Sequence, residues 1–318
     1  MSFLAEGLNL SKTAILFAGQ GAQKTGMGAS LYECSSAAKK IFDSAESIMP
    51  GIKSLCFEGD QAELNKTINT QPCVYTADCA AFAAVVQAGV DFDCVAGFSL
   101  GEYAALVGAG SISFEEGLKL VMKRAAWMQE AADATGGGMA AVLGKTAKEV
   151  DDLVESIKGD GVLCAVNYNC PGQTVVAGDE EEFPKFLEYC KANRVKAIKL
   201  AVSGAFHSSC MKDASDYILE YITNIDITDP QKVLYSNTLG RPYESTELKR
   251  VLARQTSEPV YFERIIRDMM SKGVDTFVEV GPGNTLTGFV KRTDKTAKTY
   301  NVNDEKSLKD TIKALTEE

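Results

Sequence analysis

The chain has 318 residues, 45% of them hydrophobic and 24% charged, which supplies a globular core and excludes global disorder. Lys and Arg number 33 against 43 Asp and Glu, and the net charge of -10 repels a nucleic-acid backbone, so no nucleic-acid partner is expected. Nine cysteines without a C-x-x-C spacing and a single histidine, His207, leave little from which to build a metal centre, and scattered thiols fit a reducing cytoplasm.

Residues 1–11 have neither a basic start nor a sustained apolar run, and no later stretch reaches the ~18 unbroken apolar residues of a membrane helix. A cytoplasmic chain with no membrane partner is the expectation. Residues 13–18 (TAILFA) read as a strand that stops at Gly19-Gln20-Gly21, a backbone free to turn sharply. Residues 72–88 are rich in helix formers, start on a proline and end at Gly89, so they read as a buried helix. A short strand at 94–97 and a helix at 100–107 leave Ser99 on the turn between them, and 114–132 reads as an amphipathic helix.

From Met139 the texture changes. A strand at 139–143 leads into a helix opened by Thr146-x-x-Glu149, which resembles a capping box. Strands at 163–168 and 174–177 flank Asn169-Cys170-Pro171-Gly172 and read as a hairpin; a helix at 180–193 and a strand at 196–200 follow. This β-α-β-β-α-β order is that of a ferredoxin-like unit, so residues 136–203 are expected to form a small subdomain inserted into a larger domain of residues 1–135 and 204–318. The larger unit resumes with a helix at 212–222, a strand at 233–236, helices at 247–254 and 262–270, a strand at 276–280, and a last helix-strand-helix series starting with the helix at 285–292. Alternating helices and short apolar strands predict an α/β fold with a mostly parallel sheet.

The chemistry concentrates in two places. Gly97-Phe98-Ser99-Leu100-Gly101 matches G-x-S-x-G, in which glycines permit a strained strand-to-helix turn that exposes the serine hydroxyl. A hydroxyl is a weak nucleophile without a base to take its proton, and His207 in Gly204-Ala205-Phe206-His207-Ser208 is the one imidazole in the chain. Gly281-Pro282-Gly283 lacks the P-loop lysine and reads as a turn. Cys73, Cys79 and Cys94, within apolar segments, read as core residues.

Gly19-Gln20-Gly21-Ala22-Gln23, Gly97–Glu102 and Gly204–Ser208 occur in the order found in malonyl-CoA:acyl carrier protein transacylases, and the chain resembles that family over essentially all its length after the first ten residues. The resemblance extends through Arg124, through 167–173 (NYNCPGQ), through Gln255 ahead of Pro259, and through 279–283 (EVGPG). It implies a hydrolase-like α/β domain interrupted by a ferredoxin-like subdomain. It also implies Ser99 as nucleophile, His207 as base, the Gln20 and Leu100 amides as the oxyanion hole, and the Gln255 carbonyl as the group that orients the imidazole. Arg124 resembles the arginine that binds the malonyl carboxylate, whose planar fork suits a carboxylate. Phe206 resembles a bulky neighbour that disfavours branched acyl groups, and Asn167 a further substrate-binding residue. The implied activity is ping-pong transfer of malonyl from coenzyme A to the pantetheine thiol of an acyl carrier protein in fatty acid biosynthesis, by a monomer that needs no cofactor and no metal. Supply of a polyketide synthase, or thioesterase or esterase action on the same serine ester, are the alternatives. Phe98 departs from the histidine that many members carry before the nucleophile. A small acidic carrier calls for a local basic patch, for which Lys191, Arg194, Lys196, Lys291 and Arg292 are candidates.

Overall fold

A computed structural model describes residues 12–316; the 1–11 segment weighed above lies outside them. Among the described residues ten strands form two sheets. The larger contains β1 (Lys12–Phe17), β2 (Cys94–Gly97), β7 (Val233–Ser236), β8 (Arg241–Pro242), β9 (Val274–Val280) and β10 (Lys298–Val302), in the order β10-β9-β1-β2-β7-β8. All its pairings are parallel except the short antiparallel edge β7–β8.

The central strands are covered on both faces, which is why their sequences are continuous apolar runs rather than alternating ones. Side chains along β1 still alternate between faces: Ile15 and Phe17 pack with helix Thr67–Gln87, whereas Ala14 and Leu16 pack with helix Phe262–Ser271. Each is fully buried, and burial of side chains the size of Ile15, Leu16 and Phe17 stabilises the fold by about 1.5–3 kcal/mol apiece. Register sets Phe17 beside Gly97 and Val280. The loops leaving β1, β2 and β9 are thereby gathered at one sheet edge, the carboxyl end at which open α/β sheets bind ligands.

The second sheet holds β3 (Gly138–Leu143), β4 (Leu163–Cys170), β5 (Gln173–Gly178) and β6 (Ala197–Lys199), all antiparallel, in the order β4-β5-β3-β6. With helices Ala147–Ile157 and Glu182–Ala192 this is the ferredoxin-like arrangement expected from the element order. The capping box forms: Thr146 N–H donates to Glu149 Oε2 at 2.8 Å and Glu149 N–H to Thr146 Oγ1 at 3.3 Å. Main-chain bonds tie β4 of the small sheet to the segment before helix Phe262–Ser271 of the larger unit, Tyr168 N–H to Val260 O at 2.8 Å and Val260 N–H to Val166 O at 2.7 Å.

The helix predicted from Pro72 begins five residues earlier, at Thr67, so Pro72 is interior. Proline suits a first turn and therefore marks a start in sequence, but here only the Ile68 carbonyl loses a partner, near the solvent-exposed Ile68. The hairpin is tighter than expected, because β4 runs on to Cys170 and leaves a two-residue turn at Pro171-Gly172, with Gly172 at φ 75°. No helix among the described residues is long and apolar enough to cross a membrane, and all nine cysteines are free thiols.

Candidate active site

Ser99 has φ 51°, in the left-handed region that costs a non-glycine residue about 1–3 kcal/mol. The surroundings hold it there. Its N–H donates to Asn237 Oδ1 at 2.6 Å, and Asn237 Nδ2 donates to Gly97 O at 2.7 Å, so one side chain clamps both ends of the turn. The flanking glycines are required by close approach. A Cβ on Gly97 would lie 1.9 Å from the Gly101 carbonyl carbon, and one on Gly101 would lie 2.2 Å and 2.4 Å from the Phe17 and Ala18 oxygens. Helix Gly101–Gly108 thus starts directly on the end of β1. Gly19 is equally confined, since its Cβ would meet Phe98 O at 2.5 Å; this contact brings Gln20 to the nucleophile turn. Among the described residues no hydrogen bond engages the main-chain N–H of Gln20 or of Leu100, while the Gln20 side-chain amide is held by Thr67 and Gln71.

His207 also has positive φ, 63°, pinned by its N–H to Thr256 O at 2.9 Å. Its Nδ1 lies 2.8 Å from Gln255 O and its Nε2 2.7 Å from Ser99 Oγ. A carbonyl only accepts, so Nδ1 carries the proton and the Nε2 lone pair accepts from the serine hydroxyl. Burial, and secondarily the Arg124 charge, hold the imidazole down to about 4, so it is a neutral base at neutral pH.

Arg124 comes from the middle of helix Phe114–Thr135 and is only 1% exposed, unlike the solvated arginine an amphipathic surface would carry. It donates to Gln71 Oε1 at 2.6 Å, to Gln255 Oε1 at 3.1 Å and to Ser99 Oγ at 3.3 Å, and it lies 4.9 Å from the centroid of the Tyr103 ring. Its acceptors in contact are all neutral, and among the described residues it makes no salt bridge. Glu102, fully buried beside it, accepts from Asn237 N–H, Tyr243 Oη and Gln255 Nε2; burial pushes its carboxyl up to about 7 against these donors and Arg124.

A cleft of about 210 Å³ opens above Ser99 and His207 between the two sheets. Gln20, Asn167 and Phe206 line it, while Leu100, Gln255 and Arg124 are buried outside its lining, Arg124 and Gln255 reaching it through their bonds to Ser99. Phe98 lines it too, its ring edge-on to Phe262 at 5.3 Å and tilted against Phe289 at 5.9 Å. Sequence reasoning missed Gln71, Asn237 and the role of Glu102. Glu102 stood inside the quoted motif, and Asn237 directly follows an apolar strand at the sheet's carboxyl edge, a readable signal; Gln71 had none beyond its proline neighbour. Among the described residues no group of three or more His, Cys, Asp or Glu could hold a metal ion.

The sequence pattern of the acyl transferase domain family matches residues 15–315. A malonyl CoA-acyl carrier protein transacylase of Bacillus subtilis (strain 168) is 41% identical over 313 residues, covering 97% of this chain and 99% of that protein. One of Staphylococcus aureus (strain MRSA252) is 37% identical, covering 91% and 94%. The crystal structure of the malonyl CoA-acyl carrier protein transacylase from Clostridium perfringens superimposes with TM-score 0.92 at 39% identity, over 96% of this chain and 98% of that one. A malonyl-transacylase in complex with its type II PKS acyl-carrier protein superimposes with TM-score 0.91 at 33% identity, over 96% of this chain and 100% of the other.

Proposed function

The chain belongs to the acyl transferase domain family, and on that premise we propose that it moves a malonyl group from coenzyme A to the pantetheine thiol of an acyl carrier protein through an ester on Ser99. The observation that carries this reading is the 2.7 Å contact of Ser99 Oγ with His207 Nε2, with the Arg124 guanidinium 3.3 Å from the same oxygen.

The exchange runs in two balanced halves. Ser99 Oγ attacks the thioester carbonyl carbon as its proton passes to His207 Nε2, and the carbonyl oxygen becomes an oxyanion. The free Gln20 and Leu100 amides receive that charge, each such donor being worth roughly 3 kcal/mol. Collapse breaks the C–S bond, and the departing thiolate takes the proton back from the imidazolium. In the second half the carrier thiol gives its proton to His207, its sulfur attacks the ester, and Ser99 leaves with the proton restored. Burial and the nearby Arg124 charge, offset only in part by the neutral Gln255 carbonyl, make protonated His207 more acidic than a free imidazolium, so it releases its proton readily.

Arg124, with neutral partners only, retains charge-assisted bonding capacity for the free carboxylate of the malonyl group. Phe206 and Asn167 bound the acyl space from the cleft wall. The reaction needs no cofactor or metal, and nine free thiols favour a cytoplasmic setting. For an acidic carrier, Lys291 and Arg292 stand on the helix whose first residues line the cleft, with Arg292 bonded to cleft-lining Gln173.

Intact-protein mass spectrometry after exposure to malonyl-CoA tests the reading. One malonyl adduct is expected on the wild type and none on Ser99→Ala; a stable adduct on the variant overturns the assignment. Hydrolysis is the competing outcome, and the ratio of carrier malonylation to free malonate separates the two.

A further inference from the structure

Gln255 serves two groups at once. Its carbonyl orients His207, and its side-chain Oε1 takes a hydrogen bond from Arg124 at 3.1 Å. A primary amide has two faces, and nothing in its shape fixes which way it lies. Here both hydrogens of Nε2 are occupied, one by Ser99 O at 2.6 Å and the other by Glu102 Oε2 at 2.9 Å, so Oε1 is turned to Arg124. Glu102 is itself held from its other side by Asn237 N–H and Tyr243 Oη, which leaves Oε2 for the amide. Glu102 therefore meets Arg124 only through the width of one amide, and neither of its carboxyl oxygens occupies the guanidinium.

We propose that Glu102 is a positioning residue for acyl-group selection: by locking the Gln255 amide it keeps Arg124 aligned at Ser99 yet free of any carboxylate until the acyl group brings one. The inference rests on the malonyl-transfer reading. An amide at position 102 keeps its one oxygen on the two donors Asn237 N–H and Tyr243 Oη, so its NH₂ is set against that of Gln255; a Gln255 that flips in response turns its own NH₂ on the guanidinium and displaces it from the nucleophile.

The test is the rate of Ser99 acylation in the full chain by malonyl-CoA and by acetyl-CoA, read by quenched mass spectrometry, for wild type and Glu102→Gln. Losing one charge-assisted contact corresponds to about a tenfold or larger change, so the malonyl rate should fall about ten times more than the acetyl rate. A general loosening of the fold lowers both rates equally, and that result, or an unchanged ratio, overturns the proposal. Should Glu102→Gln fail to fold, Tyr243→Phe removes one donor to the same carboxylate with packing kept; a fall in the malonyl-to-acetyl ratio supports the proposal and an unchanged ratio overturns it. A wild type that takes no malonyl group instead refutes the underlying reading.

Discussion

The guanidinium of Arg124 lies 3.3 Å from the hydroxyl of Ser99, so the cation that would sort acyl groups touches the nucleophile that would accept them. Arg124→Ala is expected to lower kcat/KM for malonyl-CoA by about 10- to 100-fold, from charge-assisted bonds worth roughly 1.5–3 kcal/mol, with a smaller effect on acetyl-CoA. Arg124→Lys should not restore selectivity, because a point charge cannot span Gln71 and Gln255 as a fork does. Steady-state kinetics with the two thioesters checks both; parallel losses would remove Arg124 from acyl recognition.

The same cation sets the working range of the base. Burial first and Arg124 second lower the imidazole to about 4, so protonation of His207 silences acylation only near that pH. Removing the positive charge raises the folded-state value. In Arg124→Ala the acid limb of acetyl-CoA acylation should therefore move to higher pH than in the wild type, and a limb that stays put or falls would exclude the coupling.

Gly101 has no room for a side chain, because the obstructing atoms are main-chain oxygens of Phe17 and Ala18 that cannot rotate away. Gly101→Ala should cost about 1–3 kcal/mol or more and distort the Ser99 turn, seen as a lower urea midpoint and lost acylation. Gly288, in helix Thr285–Thr293, gives the opposite outcome, because a methyl group added there would have no neighbouring atom within 4 Å: Gly288→Ala should stabilise by about 0.5–1 kcal/mol.

Asp78 is fully buried on helix Thr67–Gln87 with neither carboxyl oxygen hydrogen-bonded, and burial, reinforced by Glu279, pushes it well above the usual carboxylate range. A raised folded-state value means the folded protein holds this proton more tightly than the unfolded one. Its contribution is most favourable below about pH 4 and is lost as pH rises. Asp78→Ala should thus stabilise the protein by about 1–3 kcal/mol at pH 8 and by less at pH 5, measured by thermal denaturation. A gain that does not vary with pH would show that the carboxyl is ionised in the fold.

Much of this was legible in sequence for physical reasons. Continuous apolar runs at β1 and β2 require a sheet buried on both faces, and the Gly-flanked serine requires a turn that only glycine neighbours permit. The order of elements around 138–199 is enough to specify the second sheet without its pairing. The helices between Ala29 and Leu64 went unread although Ser35 and Asp60, the latter followed three residues on by Glu63, stand at the N-caps of two of them, and β8 is two residues long. Asn237 was marked only by its place after an apolar strand and Gln71 by nothing local, because their value lies in partners 138 and 53 residues away along the chain. Hydrogen bonds of that span leave no local period.

The paired main chain at Val260 makes the cleft a door with its hinge on one jamb. Val166 and Tyr168 are bonded there to the segment that follows Gln255, so swinging the small sheet on that side would pull directly on the carbonyl that steadies the imidazole. Leu200 and Val202 line the cleft on the stretch that returns from β6, the other edge strand of the small sheet, to the larger unit. Val202 stands only five residues before His207 in the chain, so both jambs are tied to the same imidazole, and the width of the cleft and the aim of the base are set together.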